Sequence, residues 1–337
     1  MAELTAGGLD PVRHPTADFF VCDIFDAAPK DDMASMEHPM FSLSTRPDRR
    51  ILEYEHNGTA ITVTPSVKGL ATIHDKDILI FCISQLMAGI NAGLAVSRTL
   101  HLRAHDLLVA TNRETSGDSY RRLREAFERL AGTRVTTNFE TGGKEVTTGF
   151  GLIENWQIVR ASRGGKMVSV AVTLSEWLFR AVLSKSVLTL SRDYFRLRKP
   201  LERRIYELAR KHCGRQTVWE ISIDTLLKKS GSGSPRRVFR KMIRDMIAAD
   251  HLPDYHLAEI PGDKLQVTPR AGMVMPLDAP PPVSDSALEQ ARALAPGLDV
   301  YALLAEWHGV WRRTGKQTLR SPDKAFVGWV LKRENSL

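Results

Sequence analysis

The chain has 337 residues, 43% of them apolar and 26% charged, and its 47 Lys/Arg against 39 Asp/Glu leave a formal net charge of +8. That length suffices for two or three domains with a proper core, and the composition is that of a soluble globular protein rather than a low-complexity or disordered chain. No apolar run approaches the ~18–20 residues of a transmembrane helix and the N-terminus carries no signal-peptide pattern, so a cytoplasmic protein with no membrane partner is expected.

In chain order, residues 1–50 form an acidic, loop-rich segment broken by Pro11, Pro15, Pro29, Pro39 and Pro47. Residues 1–60 hold eleven acids against five Lys/Arg, whereas Arg192–Arg244 holds sixteen Lys/Arg against five acids. Ile51–Tyr54 and Ala60–Thr64 alternate as strands around the hairpin signal Asn57-Gly58. There follows a layout that occurs twice. Its first copy has a helix over Asp75–Ile90, a short helix over Arg103–Thr111, an arginine-studded amphipathic helix over Ser116–Ala131, then strands around Val135–Thr137 and Val146–Thr148. Strand-like runs at Gly151–Val159 and Met167–Leu174 and a short helix at Trp177–Leu183 lead to the second copy. That copy has helices over Arg198–His212, Ser222–Lys229 and Ser234–Ala249, then strands Tyr255–Ile260 and Lys264–Thr268. Pro276 to Pro282 reads as a stiff linker. Ser286–Ala293, Val300–Arg312 and Pro322–Lys332 read as three closing helices, the last capped by Ser321.

A helix-turn-helix with a hairpin behind it is a winged helix. The expected fold class is therefore α+β: tandem winged-helix domains at 51–185 and 186–270, a linker at 271–285, and a small C-terminal helical module at 286–337. The intervening connection is long enough for each winged-helix module to fold independently.

The second module carries the sharper functional pattern. Ser234-Pro235 is expected to cap its third helix; Pro235, Val238, Phe239, Met242 and Met246 form an apolar stripe. Arg237, Arg240, Lys241 and Arg244 fall opposite, Arg236 lies near the edge, and no acid interrupts them before Asp245. A stripe that docks on a core, backed by a basic face, suits a helix entering the major groove, where arginines reach phosphates or guanine edges. A merely solvated helix is the other reading, though such faces usually mix Glu with Lys. Lys228 ends the preceding helix, placed either for a phosphate or for the helix dipole. In the first module Leu123, Phe127 and Leu130 make the stripe with Tyr120 at its start, and Arg121, Arg122, Arg124 and Arg129 are interrupted by Glu125 and Glu128. Gly142-Gly143-Lys144 is expected to be its basic wing tip, matched by Gly262-Asp263-Lys264 in the second.

Other chemistries lack their residues. There is no phosphate-loop motif and no cofactor is expected. The three cysteines (Cys22, Cys82, Cys213) are odd in number and lack metal spacing. His101 and His105, one helical turn apart, have no third ligand, so no metal site is expected. His251 and His256 flank Tyr255 without the paired histidines on a strand that a nicking tyrosine needs. The tryptophans are read as core. No catalytic residue is expected.

The chain resembles the replication initiator protein A family of bacterial plasmids. The resemblance rests on Phe19–Leu43 (FFVCDIFDAAPKDDMASMEHPMFSL), Thr62–Gln85 (TVTPSVKGLATIHDKDILIFCISQ), Phe195–Ala209 (FRLRKPLERRIYELA) and the Gly-Ser-Pro-Arg-Arg-Val-Phe opening of the last arginine-rich helix. It covers about residues 15–270 and fades past Pro276. It implies a non-enzymatic initiator that binds repeated sequences (iterons) in double-stranded origin DNA, promotes local opening and brings in a host initiator or helicase. Self-association as a dimer and repression of its own promoter go with it. The alternative is a winged-helix transcriptional regulator without origin function, which would use the same two modules. A nicking enzyme and a scaffold for acidic protein are the rivals from other classes.

Overall fold

The computed structural model describes residues 8–14, 21–22, 25–26, 29–56, 59–91, 94–141, 144–160, 167–184, 186–214, 216–270, 282–295, 298, 300–313 and 321–334. The chain divides into two units, Met1–Pro269 and Arg270–Leu337.

The run from Lys76 to Asn91 is apolar on nearly every face, which marks it as a buried helix around which other elements are laid. The order begins with two short strands, β1 (Val21–Cys22) and β2 (Phe25–Asp26), then β3 (Lys30–Asp32) and α1 (Met33–Glu37). A hairpin β4 (Leu52–His56) and β5 (Thr59–Thr64) leads to that central helix, α2 (Lys76–Asn91), which buries Ile78, Leu79, Ile80, Phe81, Cys82, Ile83, Leu86 and Met87. Its start is fixed by Thr72 and Asp75, each backbone N–H donating to the other's side chain at 2.8 and 3.2 Å.

From α2 the chain runs through β6 (Thr99–Arg103), α3 (Ala104–Ala110), α4 (Gly117–Gly132), a hairpin β7 (Arg134–Thr141) and β8 (Lys144–Gly151), and a second hairpin β9 (Ile153–Arg160) and β10 (Met167–Leu174). Next come α5 (Glu176–Leu183), β11 (Val187–Thr189) and a 3-10 turn at Arg192–Arg196. The second copy follows as α6 (Pro200–Cys213), β12 (Trp219–Ser222), α7 (Ile223–Ser230), α8 (Arg236–Ala249), β13 (Tyr255–Ile260) and β14 (Lys264–Pro269). The two copies have the same sheet order. In each, the last strand returns to the middle, giving antiparallel β6–β10–β9 and β12–β14–β13.

That order corrects one expectation. The hairpin just behind α4, which contains Lys144, does not pair with the strand before α3. It joins a separate four-stranded sheet, β4–β5–β7–β8, with Val63 opposite Val135 and Ile61 opposite Thr137. Ile61, Val63 and Val135 are buried, so this sheet has its own apolar face. The place held by β13–β14 in the second copy belongs to β9–β10 in the first. The expected tip residues Gly142 and Gly143 lie outside the described residues, as does the side chain of Lys144. Strands β6 and β12 had no counterpart among the expected elements, and β6 takes His101 off the helix that carries His105.

Residues 30–37 of the acidic N-terminal segment are built into the fold. Strand β3 pairs with β11, and Asp32 caps α1 through Ser35 N–H at 2.8 Å. Lys76, fully buried at the start of α2, lies 2.6 Å from Asp31 and 3.0 Å from Glu207 of α6. Glu207 also accepts from Tyr194 (2.7 Å) and Arg204 (3.2 Å). Arg204 in turn donates to the carbonyls of Ser35, Met36 and Lys229. Beside them Arg203 bonds Asp77 at 2.5 Å and the carbonyl of Leu197 at 2.9 Å. Buried charges are tolerated only when paired and hydrogen-bonded. These pairs tie α2 of the first copy to α6 of the second, so the two copies share one compact unit. Separately, Arg270–Leu337 folds α9 (Asp285–Leu294), α10 (Val300–Arg313) and α11 (Pro322–Glu334) around Leu288, Leu303, Trp307, Phe326 and Val330.

Candidate nucleic-acid interface

Helix α8 is amphipathic by construction. Phe239, Ile243 and Met246 recur at helical spacing and are buried, fixing the helix to its core. Two details differ from the expected stripe and cap. Ile243 takes a place in the stripe, while Pro235 is exposed and Val238 faces outward at 47% exposure. Ser234 is not the cap either: Pro235 holds that position with no side-chain capping bond, and the Ser234 N–H donates to Ser232 Oγ at 3.3 Å.

The basic face is present but not unbroken, because an acid of α7 and acids of the following hairpin fold onto it. Arg236 pairs with Asp224 at 2.5 Å and with Asp263. Arg240 reaches Glu259 at 2.6 Å and Asp263 at 2.8 Å, and Arg244 reaches Glu259 at 2.7 Å. Hydrogen bonds from Arg244 and Arg240 hold the Glu259 carboxyl down at about 2, so it is a carboxylate at any working pH. Arg237 is exposed and has no hydrogen-bond or ion-pair partner among the described residues, and Lys241 only approaches Asp245 at 3.8 Å. Lys228 is exposed at the end of α7, where Gly231 closes the helix at φ +70°.

One residue of this surface comes from outside the second copy. A methyl group at Gly233, in the turn between α7 and α8, would stand 2.5 Å from Arg50 Nη1. Arg50 is held from behind by Asp48, itself buried, through bonds of 2.9 and 2.8 Å. Its guanidinium therefore sits against the turn that leads into α8, beside Lys228 in a cleft of about 520 Å³. Nothing local in the sequence around Arg50 pointed there.

Helix α4 has the same anchoring, with Leu123, Phe127 and Leu130 buried and Ala126 beside them, and Phe127 stacks on Trp156 of β9 at 5.7 Å. Its arginines are matched within the helix. Arg121 pairs with Asp118 and Glu125, Arg122 with Asp118 at 2.7 Å, and Arg124 with Glu128 at 3.2 Å. Such exposed pairs are screened by solvent and contribute little to stability. Arg129 turns inward onto Asp75 at 2.7 Å and braces α2 instead. The second copy thus presents more uncompensated positive charge than the first.

Elsewhere, Tyr255 is fully buried against Tyr206, and burial pushes its phenol up to about 12. Among the described residues no group of three or more His, Cys, Asp or Glu is placed to hold a metal, and no helix is long and apolar enough to cross a membrane.

Three comparisons relate the chain to known proteins. The replication initiator protein A family matches residues 30–257. A protein of Wigglesworthia glossinidia brevipalpis named as a replication protein is 38% identical over 244 residues, 71% of this chain and 88% of that one. Among solved structures, domains 2 and 3 of RctB superpose with a TM-score of 0.51, covering 70% of this chain and 96% of theirs, at 15% identity; this is a likeness of fold alone.

Proposed function

The chain belongs to the replication initiator protein A family, and from that membership we propose that it is a non-enzymatic initiator of plasmid replication that binds repeated sequences in double-stranded origin DNA. The observation that carries this reading is the outward face of α8, where Arg237 and Lys241 stand open to solvent on a helix anchored by Phe239, Ile243 and Met246. We read the two repeated units as winged helices. Helices α8 and α4 enter the major groove, β13–β14 and β9–β10 act as the wings, and Lys228 with Arg50 takes phosphates at the entry to α8.

The buried pairing between α2 and α6 gives the proposal its mechanics. Two reading heads fixed to one another meet two stretches of groove as one body. Any mismatch between their spacing and that of relaxed DNA is then borne by the DNA, as bending or untwisting offset by the fuller protein–DNA interface that results. Opening of adjacent A·T-rich duplex, recruitment of a host initiator or helicase, self-association and repression of its own promoter follow from the same reading. The buried Tyr255 offers no surface nucleophile for strand cleavage.

The test is a salt titration of binding to a duplex. With about five to eight phosphates neutralised, log K should fall against log salt with a slope of about −4.5 to −7. A flat dependence, or no binding to duplex at low salt, would remove the proposal.

A further inference from the structure

The charged side chains of α8 fall into two sets that the sequence alone does not separate. Arg236, Arg240 and Arg244 are folded onto carboxylates: Glu259 and Asp263 of the β13–β14 hairpin, and for Arg236 also Asp224 of α7. They hold the hairpin against the helix, and each guanidinium is oriented by that task. Arg237 has no such tether among the described residues. One position on, Val238 is 47% exposed on a helix whose Phe239, Ile243 and Met246 are all buried. Lys241 lies four positions from Arg237 and three from Val238, so the three side chains form one continuous patch. A single exposed valine is ordinary on a protein surface. Here it is flanked by the guanidinium of Arg237 and the ammonium of Lys241 on the exposed side of α8. Among the base edges in the major groove, the 5-methyl of thymine is the apolar handle, and the O6/N7 pair of guanine matches an arginine fork.

Granted the DNA-binding reading above, we propose that Arg237 and Val238 are the base-reading pair of α8, Arg237 on guanine and Val238 on the methyl of a neighbouring thymine. Arg236, Arg240 and Arg244 grip phosphate and carry the hairpin, without reading sequence. Val238 is then a specificity-determining residue, and its exposure is the cost of leaving a methyl-sized contact open until DNA arrives.

The experiment uses the full chain to select duplexes from a random-sequence pool. Binding is then measured on the selected duplex, on copies with each thymine replaced singly by deoxyuridine, and on an unrelated duplex of equal length. For the wild type, deoxyuridine at one position should weaken binding about three- to tenfold, the scale of one buried methyl. Val238→Ala should lose a similar factor on the selected duplex, show no further loss at that thymine, and bind the unrelated duplex as before. Arg237→Ala should lose about ten- to a hundredfold on the selected duplex and far less on the unrelated one. Arg240→Ala with Arg244→Ala should weaken both duplexes alike. If Val238→Ala keeps every deoxyuridine penalty, or Arg237→Ala loses equally on both duplexes, the assignment is wrong. If the pool yields no enriched sequence, the DNA-reading function itself fails and takes the assignment with it.

Discussion

Lys76→Met tests how the two repeated units are joined. Lys76 is wholly buried between Asp31 at 2.6 Å and Glu207 at 3.0 Å. Removing the ammonium does not affect its partners equally. Glu207 keeps Arg204 at 3.2 Å and the Tyr194 hydroxyl at 2.7 Å. Among the described residues, Asp31 keeps only the Asp32 N–H at 3.0 Å, and burial already pushes its carboxyl well above the usual range. Breaking a buried pair by deleting one partner costs about 3–5 kcal/mol, because the other charge is left uncompensated. Lys76→Met should therefore lose about that much, read as a lowered urea midpoint by circular dichroism. Adding Asp31→Asn removes the stranded charge. The double variant should recover about 2 kcal/mol of the loss, a coupling of the size expected for direct neighbours. A loss below about 1 kcal/mol for Lys76→Met would refute the claim that the buried Lys76 holds β3, α2 and α6 together, and a double variant costing the sum of the singles would refute its pairing with Asp31 on β3.

Further expectations concern pH, the turn before α8 and the phosphate grip. His74 lies under Arg203 and Arg113; burial first, then those two cations, lowers its pKa from 6.5 to about 2. The unfolded chain therefore binds the proton better, so this stabilisation is complete above pH 6.5 and is lost on acidification below it. At pH 5 the loss is at most about 2 kcal/mol, and His74→Asn should flatten that limb of the urea-midpoint profile. His38, lowered by burial to about 4, acts with the same sign. Gly231→Ala should destabilise the chain by about 1–2 kcal/mol through the left-handed backbone alone. It should cost more because the new methyl would stand 2.6 Å from Pro39 Cβ, and an unchanged urea midpoint would contradict the turn geometry. Arg50→Ala should reduce the salt slope of duplex binding by about 1 and weaken selected and unrelated duplexes equally; an unchanged slope would take Arg50 off the interface.

The elements legible in the sequence were those whose pattern is local. Helices α4, α6 and α8 are legible because their apolar residues recur at helical spacing over fourteen or more positions, and α2 because its apolar run is too long for a strand. Strands β6 and β12 are not, because five and four residues give too short a period to recognise. The hairpin of the first copy was misplaced for a different reason. Two hairpins follow α4, and which of them pairs with β6 depends on the pairing of Leu100 with Val172, more than seventy residues apart. The tethering of Arg236, Arg240 and Arg244 was hidden likewise, since Glu259 and Asp263 belong to the next hairpin and not to the helix. Arg50 reaches the α7–α8 turn from more than 180 residues away, so no reading of the turn itself would have found it.

Initiation through repeated duplex sites is tested most directly by a footprint of the purified full chain on DNA flanking its own gene, at near-physiological salt with magnesium present. Several protected segments recurring at multiples of a helical turn, with both strands intact, are expected. A single protected operator would make the protein a regulator, a specific nick would make it an enzyme, and absence of protection would remove the DNA interface altogether; each would contradict an initiator that binds repeated sites.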